Sequence, residues 1–458
     1  MRKHWKLIVY LLGFLILTVT LAAAQPLKGK NAPPDEVSRY LVPQYICEHG
    51  ALPTGLEEEI RIPGYGFSYA LYNAFPYIVM GLAMRLVSCV TADAAALLLT
   101  ARLVNVLAGL AMAYVVYELA KRLFSAERSR WLFCLAVAYQ PMNLFVHSYV
   151  NTDSFCMLST AMIVYGLVRL YREGVDVRIC LWLAAGVSLC ALSYYSAYGY
   201  ILAAMILFVA YFAKKDSGRF DRAGFLKYGA LTAVLVLLGI GWWFIRQGIV
   251  LQGDFLGLRT RDELVAAYGK VRAQAANTYA GKGYSFFGMI GEMIAARLPL
   301  KLAGTLIAAY GTLNIRPQVW FYALYALVWS AGVVGCVMKL AEKGKPQNRP
   351  QGGGKPQNRP RGGARGRQRF ARPQGGIFHG CMVLCMVLPL VLYLSYCYAT
   401  DYQEQGRYLL PALVPAMMYL TKGLERLGKR VVWCASAVIV FCAFWQVFAV
   451  ALPVFGLS

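Results

Sequence analysis

Long apolar segments recur along almost the whole of this chain. A helix of about 20 apolar residues spans the hydrocarbon core of a bilayer. Hydrophobic residues make up 59% of the 458 residues and charged residues only 15%, which is more apolar than a soluble domain needs. The chain is therefore predicted to be an all-α polytopic membrane protein with about 11 transmembrane helices. The predicted crossings are 7–24, 92–120, 131–150, 154–170, 178–197, 199–213, 226–246, 318–340, 377–398, 408–424 and 431–453.

The basic residues predict the direction in which the chain crosses the membrane. The 46 Lys and Arg residues outnumber the 22 Asp and Glu residues, for a formal net charge of +24. Connecting segments alternate between basic and less basic, and basic loops of a membrane protein face the cytoplasm. We therefore expect a multi-pass protein of the cytoplasmic (inner) membrane with its N-terminus inside and its C-terminus outside. The basic segments are 121–130, 169–178, 214–227, 339–376 and 422–430.

Two apolar segments have more than one interpretation. The first follows basic residues and ends in Ala22-Ala23-Ala24, as a cleaved signal peptide does, but it is long enough to span and is favoured as a retained signal anchor. Residues 66–90 are also long enough to cross, yet a crossing there would put the later basic loops outside. That segment is predicted to be juxtamembrane or re-entrant.

These assignments divide the chain into membrane segments and loops. The loop at 25–91 is predicted to carry juxtamembrane helices and an Asp-Glu motif on the outer side. The full predicted order is helix 1 at 1–24, this outer loop at 25–91, helices 2–7 at 92–247, a second large outer loop at 248–317, helix 8 at 318–338, a disordered basic cytoplasmic loop at 339–376 and helices 9–11 at 377–458.

The loop at 339–376 differs in composition from the rest of the chain. It repeats Gly-Lys-Pro-Gln-Asn-Arg-Pro at 344–350 and 354–360 and continues as an Arg-Gly tract. This composition cannot bury a core, so disorder is expected. Arg-Gly segments can bind nucleic acid, but a polybasic loop between membrane helices also binds anionic lipid and fixes topology. Membrane lipids are the favoured partner and no nucleic acid is expected, because no folded nucleic-acid module accompanies the tract.

The sequence contains no pattern that requires a cofactor. The twelve cysteines are scattered, no paired Cys-x-x-Cys occurs, and the four histidines lie far apart in the predicted topology. No metal site is therefore assigned, although a divalent cation is left open. A Walker-type phosphate loop is also missing, which argues against an ATP-driven pump.

An acidic pair stands just after the first apolar run, in Pro33-Pro34-Asp35-Glu36. The prolines disfavour helix before Asp35, so a helix can start there, with carboxylates at its positive end. A fixed carboxylate at a membrane boundary can also take a proton from an incoming hydroxyl. The motif alone leaves both interpretations open.

Other polar residues gather at the predicted outer ends of the membrane segments. Charged groups at membrane depth are costly and usually face a cavity or a partner, so the set predicts a polar pocket. Carboxylates accept hydrogen bonds from sugar hydroxyls and arginines bind phosphate oxygens, a combination that suits a polyprenyl-phosphate sugar. Besides Asp35, the predicted pocket residues are Glu36, Arg102, Asn151, Asp153, Arg246, Asp254, Gln405, Arg407 and Tyr408.

Five short motifs occur in the order found in the GT-C superfamily of membrane glycosyltransferases. The chain resembles bacterial multi-spanning proteins with a Pro-Asp-Glu motif and is distantly similar to protein O-mannosyltransferases and lipid A aminoarabinose transferases. The resemblance implies a GT-C-like bundle, a lipid-linked sugar donor, an outer acceptor hydroxyl and a first-loop aspartate as base. Arg39 stands where many relatives carry His. The motifs are Pro33–Glu36, Tyr149–Asp153, Gly241–Arg246 with Gly253-Asp254, Gly311–Asn314 and Gln405–Pro411.

The sequence therefore predicts an inverting transferase that moves a sugar from a polyprenyl-phosphate donor to a glycan, lipid or protein hydroxyl. In this hypothesis Asp35 is the catalytic base, and Arg407, with Arg246, stabilises the leaving phosphate. The other pocket residues bind substrate. The alternative is a transporter or flippase of a lipid-linked saccharide, which is disfavoured because the sequence has no convincing inverted repeat and the polar cluster lies on one face. A membrane scaffold would leave the cluster unexplained.

Overall fold

The structure, a computed structural model, confirms the all-α prediction. Within the part of the chain that it describes, helices account for nearly all regular structure, and the two isolated β-bridges, Ala213 with Phe220 and Tyr310 with Ile315, form no sheet. The described residues are 4–72, 74–213, 220–267, 278–343 and 375–456.

The amino-terminal half is arranged around one long helix, α4, which packs against α1, α3, α5 and α7. The helices of this half are α1 Trp5–Ala24, α2 Glu36–His49, α3 Phe75–Ser88, α4 Ala94–Leu123, α5 Glu127–Ala138, α6 Pro141–Val146, α7 Asp153–Glu173, α8 Val177–Ala191, α9 Tyr198–Phe212 and α10 Arg222–Val250. Short 3₁₀ turns lie at Glu58–Ile60, Tyr69–Leu71 and Tyr195–Ala197.

The carboxy-terminal half completes the bundle: α14 and α16 pack together, and α15 packs on α9. Its helices are α11 Leu258–Ala267, α12 Phe286–Ala295, α13 Leu298–Ile307, α14 Val319–Lys343, α15 Gly375–Ala399, α16 Leu413–Arg426, α17 Lys429–Phe444 and α18 Leu452–Phe455. A 3₁₀ turn at Gly406–Ala412 precedes α16, and a π-helical turn at Trp445–Ala451 joins α17 to α18.

Eight helical segments of the described chain are long and apolar enough to cross a membrane, and all eight coincide with predicted crossings. The other three predicted crossings are broken or shorter helices in the structure. Pro141 starts a new helix within 131–150 and so divides it between α5 and α6. At 178–197 the helix α8 has 15 residues, and 408–424 begins as a 3₁₀ turn that contains Pro411.

The segment at 66–90 does not form a membrane-length helix. Its helix α3 has 14 residues, or about 21 Å at 1.5 Å per residue, which is shorter than the bilayer core. This length suits the juxtamembrane prediction. The basic loop is shorter than predicted, because α14 continues to Lys343 and α15 begins at Gly375. Residues 344–374, which carry the predicted disorder, lie outside the described residues.

Two small apolar clusters attach the predicted outer segments to the bundle. In the first, side chains of α2 and α3, including Val42, Ile46 and Met80, pack with Trp243 of α10. In the second, Met289 and Leu302 of α12 and α13 pack with neighbours that include Tyr393 of α15. Both predicted outer segments therefore pack against the end of the bundle that carries Asp35.

Candidate active site

Asp35 lies immediately before α2 in a left-handed backbone conformation, with φ +61°. This conformation is uncommon outside glycine, although Asp adopts it more readily than most residues. The helix therefore starts one residue later than predicted, at Glu36, and the Asp35 side chain does not cap it. The carboxylate instead accepts a hydrogen bond from Arg407. Non-glycine residues held in this conformation are often found at functional sites.

A buried ion pair fixes the backbone beside Asp35. Glu36 is completely buried and accepts hydrogen bonds from Arg102 Nε at 2.9 Å and Nη2 at 2.6 Å, and from the Val150 amide at 2.8 Å. Arg102 Nη1 donates to the carbonyls of Ala22 and Gln25, both at 2.8 Å. One pair thus joins the end of α1, the start of α2, α4 and the turn before α7. These two predicted pocket residues have a structural, positioning role.

Arg407 reaches Asp35 from the opposite end of the sequence. Its Nη2 donates to Asp35 Oδ2 at 3.0 Å and its Nη1 donates to the Tyr149 hydroxyl at 2.9 Å. Gly406 allows this approach, because a Cβ there would collide with the carbonyl oxygen of Leu302 and the amide nitrogen of Leu306 in α13. The pairing of the Pro-Asp-Glu and Gln-Gly-Arg motifs is thus present in the structure.

The Asp35 carboxylate is held ionised while remaining open to the outside of the protein. Partial burial by itself would raise the pKa of this carboxyl, but the charges of Arg407 and Arg39 outweigh that effect and lower the pKa below its ordinary value. The side chain is 44% exposed, and among the described residues both arginine contacts fall on Oδ2. Oδ1 is therefore the oxygen available to an incoming hydroxyl.

The Gly311–Asn314 motif supports the same segment from another side. Gly311 and Leu313 have φ +58° and +68°, and the turn closes through the Tyr310 amide on the Ile315 carbonyl at 2.9 Å. Thr312 Oγ1 donates to the Lys30 carbonyl at 2.8 Å, and Asn314 Nδ2 donates to Asn31 Oδ1 at 2.8 Å. The motif thus fixes the chain four residues before Asp35.

Arg39 and Asp153 complete the cluster around Asp35. Arg39 follows Asp35 by one helical turn, its Nη2 lies 3.8 Å from Asp35 Oδ2, and its guanidinium carbon lies 5.0 Å from the centre of the Tyr69 ring. Asp153, the first residue of α7, is 8% exposed and close enough to interact electrostatically with both Arg39 and Arg407. Asp153 therefore belongs to the cluster as predicted, and Arg39 is an addition to it.

Arg246 and Asp254 hold loops at the predicted outer side instead. Arg246 Nη2 donates to the carbonyls of Leu52 and Pro53, both at 2.9 Å. Asp254 Oδ2 accepts from the Thr260 amide at 2.8 Å and hydroxyl at 2.9 Å, which closes the turn before α11. These contacts do not support the prediction that Arg246 shares the phosphate with Arg407, because Nη2 donates to backbone carbonyls, Nη1 donates to Gln247 Oε1 at 3.2 Å, and Asp35 is not among the partners of Arg246.

The remaining predicted pocket residues surround the cluster. Asn151 is buried and donates to the carbonyls of Val146 and Tyr149, so it shapes the turn that presents Tyr149. Tyr408 follows Arg407, whose guanidinium carbon lies 5.4 Å from the Tyr408 ring centre. Gln405 donates to the Gln403 side chain at 2.6 Å, while its own Oε1 is buried without a partner among the described residues.

Sequence reasoning did not assign Tyr149, Tyr69 or Arg39 to the pocket. Tyr149 is the first residue of the Tyr149–Asp153 motif. Arg39 follows Asp35 by four residues, the spacing that puts two side chains on one face of a helix. Tyr69 comes from a 3₁₀ turn with no distinctive pattern. Helical spacing would have revealed Arg39, whereas the position of Tyr69 depends on how the loop folds.

The Oδ2 side of Asp35 is unfavourable for a divalent cation. The carboxylate oxygen that has neighbours faces two guanidinium groups, at 3.0 and 3.8 Å, which would repel a metal ion. Within the described ranges, no group of three or more His, Cys, Asp and Glu side chains is arranged to hold one. We therefore assign no step to a metal.

Comparison with known proteins places this geometry in a wider context. Residues 56–261 match the family described as a predicted membrane protein, DUF2142. No curated protein matches the chain in sequence.

Solved structures share its architecture. The apo oligosaccharyltransferase of Archaeoglobus fulgidus superposes with a TM-score of 0.54 at 13% identity, over 99% of this chain and 56% of the archaeal one. The chain therefore shares the fold of this archaeal structure. Two further structures with this fold hold a lipid phosphate. The archaeal enzyme AglB, in complex with an inhibitory peptide and a dolichol-phosphate, has a TM-score of 0.51, 12% identity and coverage of 99% and 56%. ArnT from Cupriavidus metallidurans, bound to undecaprenyl phosphate, has a TM-score of 0.51, 14% identity and coverage of 93% and 61%.

The chain thus spans little more than half of each of these GT-C proteins.

Proposed function

We propose that this protein is an inverting membrane glycosyltransferase. Its donor is a sugar linked to a polyprenyl phosphate, and its acceptor is a hydroxyl of a glycan, lipid or protein at the outer face of the cytoplasmic membrane. The observation that carries the proposal is the Asp35–Arg407 pair, at 3.0 Å, in an open polar cluster on a GT-C fold. Both structures with a lipid phosphate bound support a donor of this chemical class.

The proposed reaction is a single displacement at the anomeric carbon. The acceptor oxygen forms a bond to that carbon on the face opposite the phosphate, and the bond from the carbon to the phosphate oxygen breaks. The acceptor proton moves to Asp35 Oδ1, and the bonding electrons leave with the polyprenyl phosphate. Attack from the opposite face inverts the configuration of the sugar.

Asp35 has the properties that this role needs. A general base must be ionised before the reaction, and the lowered pKa of Asp35 keeps it so at neutral pH. A strongly lowered pKa also makes a weak base, but the arginine responsible is the one assigned to the donor phosphate. When the phosphate takes up Arg407 donors, the carboxylate loses part of this stabilisation and becomes more basic.

Arg407 is suited to hold the departing phosphate. Charge grows on the phosphate oxygens as the sugar leaves, and fixed donors aimed at developing charge are a large source of catalysis. Arg407 is 3% exposed, and its Nε is buried without a hydrogen-bond partner among the described residues. One donor of this cation thus has no protein partner in the described chain.

The test compares two variants of the purified full-length protein with a panel of polyprenyl-phosphate sugars. Asp35→Asn keeps the size of the side chain but removes proton acceptance, so turnover should fall by about 10²-fold or more while donor binding survives. Arg407→Ala should weaken donor binding and turnover together, because it removes a partner of the phosphate in the ground and transition states. Product formation is followed by mass spectrometry and donor affinity is measured separately.

The results also separate a transferase from a flippase. A flippase would form no glycosidic product in any variant but would move the lipid-linked sugar between leaflets of reconstituted vesicles. A well-folded Asp35→Asn protein that turns over like wild type would remove Asp35 from the catalytic role.

A further inference from the structure

Arg39 is a buried cation whose hydrogen-bonding capacity is poorly used. It is 7% exposed, and its Nε has no hydrogen-bond partner among the described residues. Its ion-pair contact, from Nη2 to Asp35 Oδ2, is 3.8 Å, which is too long for a hydrogen bond. A guanidinium group carries five N–H donors, and leaving charged donors unsatisfied inside a protein is costly. The Tyr77 hydroxyl also lies close enough to interact with this cation, but Nε is left without a partner among the described groups.

Arg39 and Arg407 approach the same atom from two different elements. Arg39 projects from α2 and Arg407 from the 3₁₀ turn before α16, and both face Asp35 Oδ2. Each has a buried Nε without a partner in the described chain. Arg39 also lies over the Tyr69 ring, with its guanidinium carbon 5.0 Å from the ring centre, a contact that uses none of its N–H donors.

An anion with several oxygens would satisfy this arrangement. A phosphate group can accept hydrogen bonds from two guanidinium groups at once, and arginine binds phosphate through its planar fork of donors. Asp35 is the anion that these two arginines share in the structure, and its half-exposed side chain marks the open side of the cluster. A phosphate beside Asp35 would use the free donors of both arginines.

We propose that Arg39 is a second phosphate-binding residue, opposite Arg407, and that these two arginines together hold the phosphate of the lipid-linked donor. The inference rests on the proposed function and changes its donor site, since Arg246 is replaced by Arg39. Arg39 touches the substrate in this scheme and sets its preference for a phosphorylated lipid.

The experiment measures binding of undecaprenyl phosphate and of undecaprenol to the purified full-length protein. Wild type should prefer the phosphorylated lipid. Arg39→Gln should reduce affinity for undecaprenyl phosphate by about 10- to 100-fold, the range expected for lost hydrogen bonds to a charged group, and leave undecaprenol binding unchanged. Arg39→Lys keeps the charge without the fork and should lie between the two. The matched control is Arg178→Gln, an exposed arginine of α8, which should match wild type.

Each outcome has a distinct meaning. Equal binding of the two lipids by wild type would overturn the proposed function itself. A wild-type phosphate preference that Arg39→Gln retains would overturn only the role of Arg39. Affinity for both lipids reduced in proportion would also overturn that role and make Arg39 structural. If Arg39→Gln does not fold, Arg39→Lys decides between the same outcomes. Inorganic phosphate as competitor distinguishes a site for any phosphate, which it would block, from one that needs the lipid.

Discussion

Two adjacent carboxylates, Asp35 and Glu36, lie in opposite environments in this protein. The Glu36 side chain is fully enclosed and paired with Arg102, whereas Asp35 is 44% exposed and faces Arg407. The backbone between them turns from the left-handed to the helical conformation, which sends the two side chains in different directions. Removing either carboxylate should therefore have a different consequence.

Glu36→Gln should destabilise the folded protein. Breaking a buried ion pair leaves an uncompensated charge, at a cost of about 3–5 kcal/mol, and here Arg102 would lose its carboxylate partner. The melting temperature in detergent should fall clearly below that of wild type. Glu58→Gln is the control, since Glu58 is 91% exposed and 3.7 Å from Arg61, and should melt like wild type. Equal melting of all three proteins would contradict the structural role of Glu36.

The loss of kcat/KM at acidic pH should report the protonation of Asp35. Because its pKa is lowered in the free protein, the carboxylate stays ionised to pH values below the ordinary range of about 3.9. The stability that its ion pairs contribute is likewise present above the unfolded pKa and lost only as pH falls through the folded pKa. We expect kcat/KM to show no protonation of Asp35 between pH 7 and about 5, and the acid limb to move upward in Arg39→Gln. A reversible wild-type loss with a midpoint above about pH 5 would contradict this.

Sequence showed which motifs belong to the site better than it showed which side chains face it. The order of the motifs and their positions at the ends of membrane segments assigned Asp35 and Arg407 to one pocket, and the two side chains lie 3.0 Å apart in the structure. Glu36, Arg102 and Arg246 carry the same kinds of charge as Asp35 and Arg407, but their burial and their backbone partners give them different contacts. These contacts depend on how segments far apart in the sequence pack together, and a single sequence does not show that packing.

At the scale of elements, the predicted outer segments are shaped by polar contacts to backbone. Arg246, at the end of α10, binds two consecutive carbonyls of the first loop, and Gln247 Nε2 donates to the Leu71 carbonyl at 3.2 Å. The end of α10 thus fastens the segment at 52–71. Apolar periodicity predicted α10 itself, but it could not show what the polar groups at its end would bind.

Arg246→Ala should loosen the first loop without removing the phosphate preference. The carbonyls of Leu52 and Pro53 would lose their partner, so proteolysis between residues 50 and 72 should become faster than in wild type. Arg259→Ala is the control, since that arginine is 62% exposed in the next loop. Limited proteolysis and lipid binding are measured on the same samples. A lost preference for undecaprenyl phosphate with unchanged proteolysis would return Arg246 to the phosphate site.

Proline and glycine decide where element prediction was incomplete. Pro141 begins α6 directly after α5 ends, and Pro411 lies in the 3₁₀ turn before α16. Hydropathy averages over such breaks, so it predicted one continuous helix in each region. The break at Gly406–Ala412 is also what brings Arg407 into the cluster, because a straight helix would not make the close contact between Gly406 and α13.

At the scale of the whole molecule, the positions of the basic segments predict which of the shorter apolar elements cross the membrane. The segments at 121–130 and 169–178 are both predicted to be cytoplasmic, and only one full-length span, α7, lies between them. The chain can return only if α5 and α6 together complete a second crossing. The same reasoning applies to α8, which precedes the span at 195–212, and to the segment at 406–426, which follows α15. The predicted topology thus makes each broken or shorter element the return partner of a full-length helix.

This pairing predicts which cysteines a membrane-impermeant maleimide reaches. Cys89 is free and exposed at the end of α3, on the predicted outer side, and should be labelled in intact cells. In a Cys89→Ser, Pro360→Cys variant, residue 360 should be labelled only after the membrane is permeabilised, because its loop is predicted to be cytoplasmic. Cys434, exposed on α17, lies within a membrane-length helix, and should stay unlabelled in both cases. Labelling of residue 360 in intact cells would mean that its loop faces outward. Either the α5–α6 pair or α8 would then fail to cross, or the whole chain would be inverted, with Asp35 facing the cytoplasm.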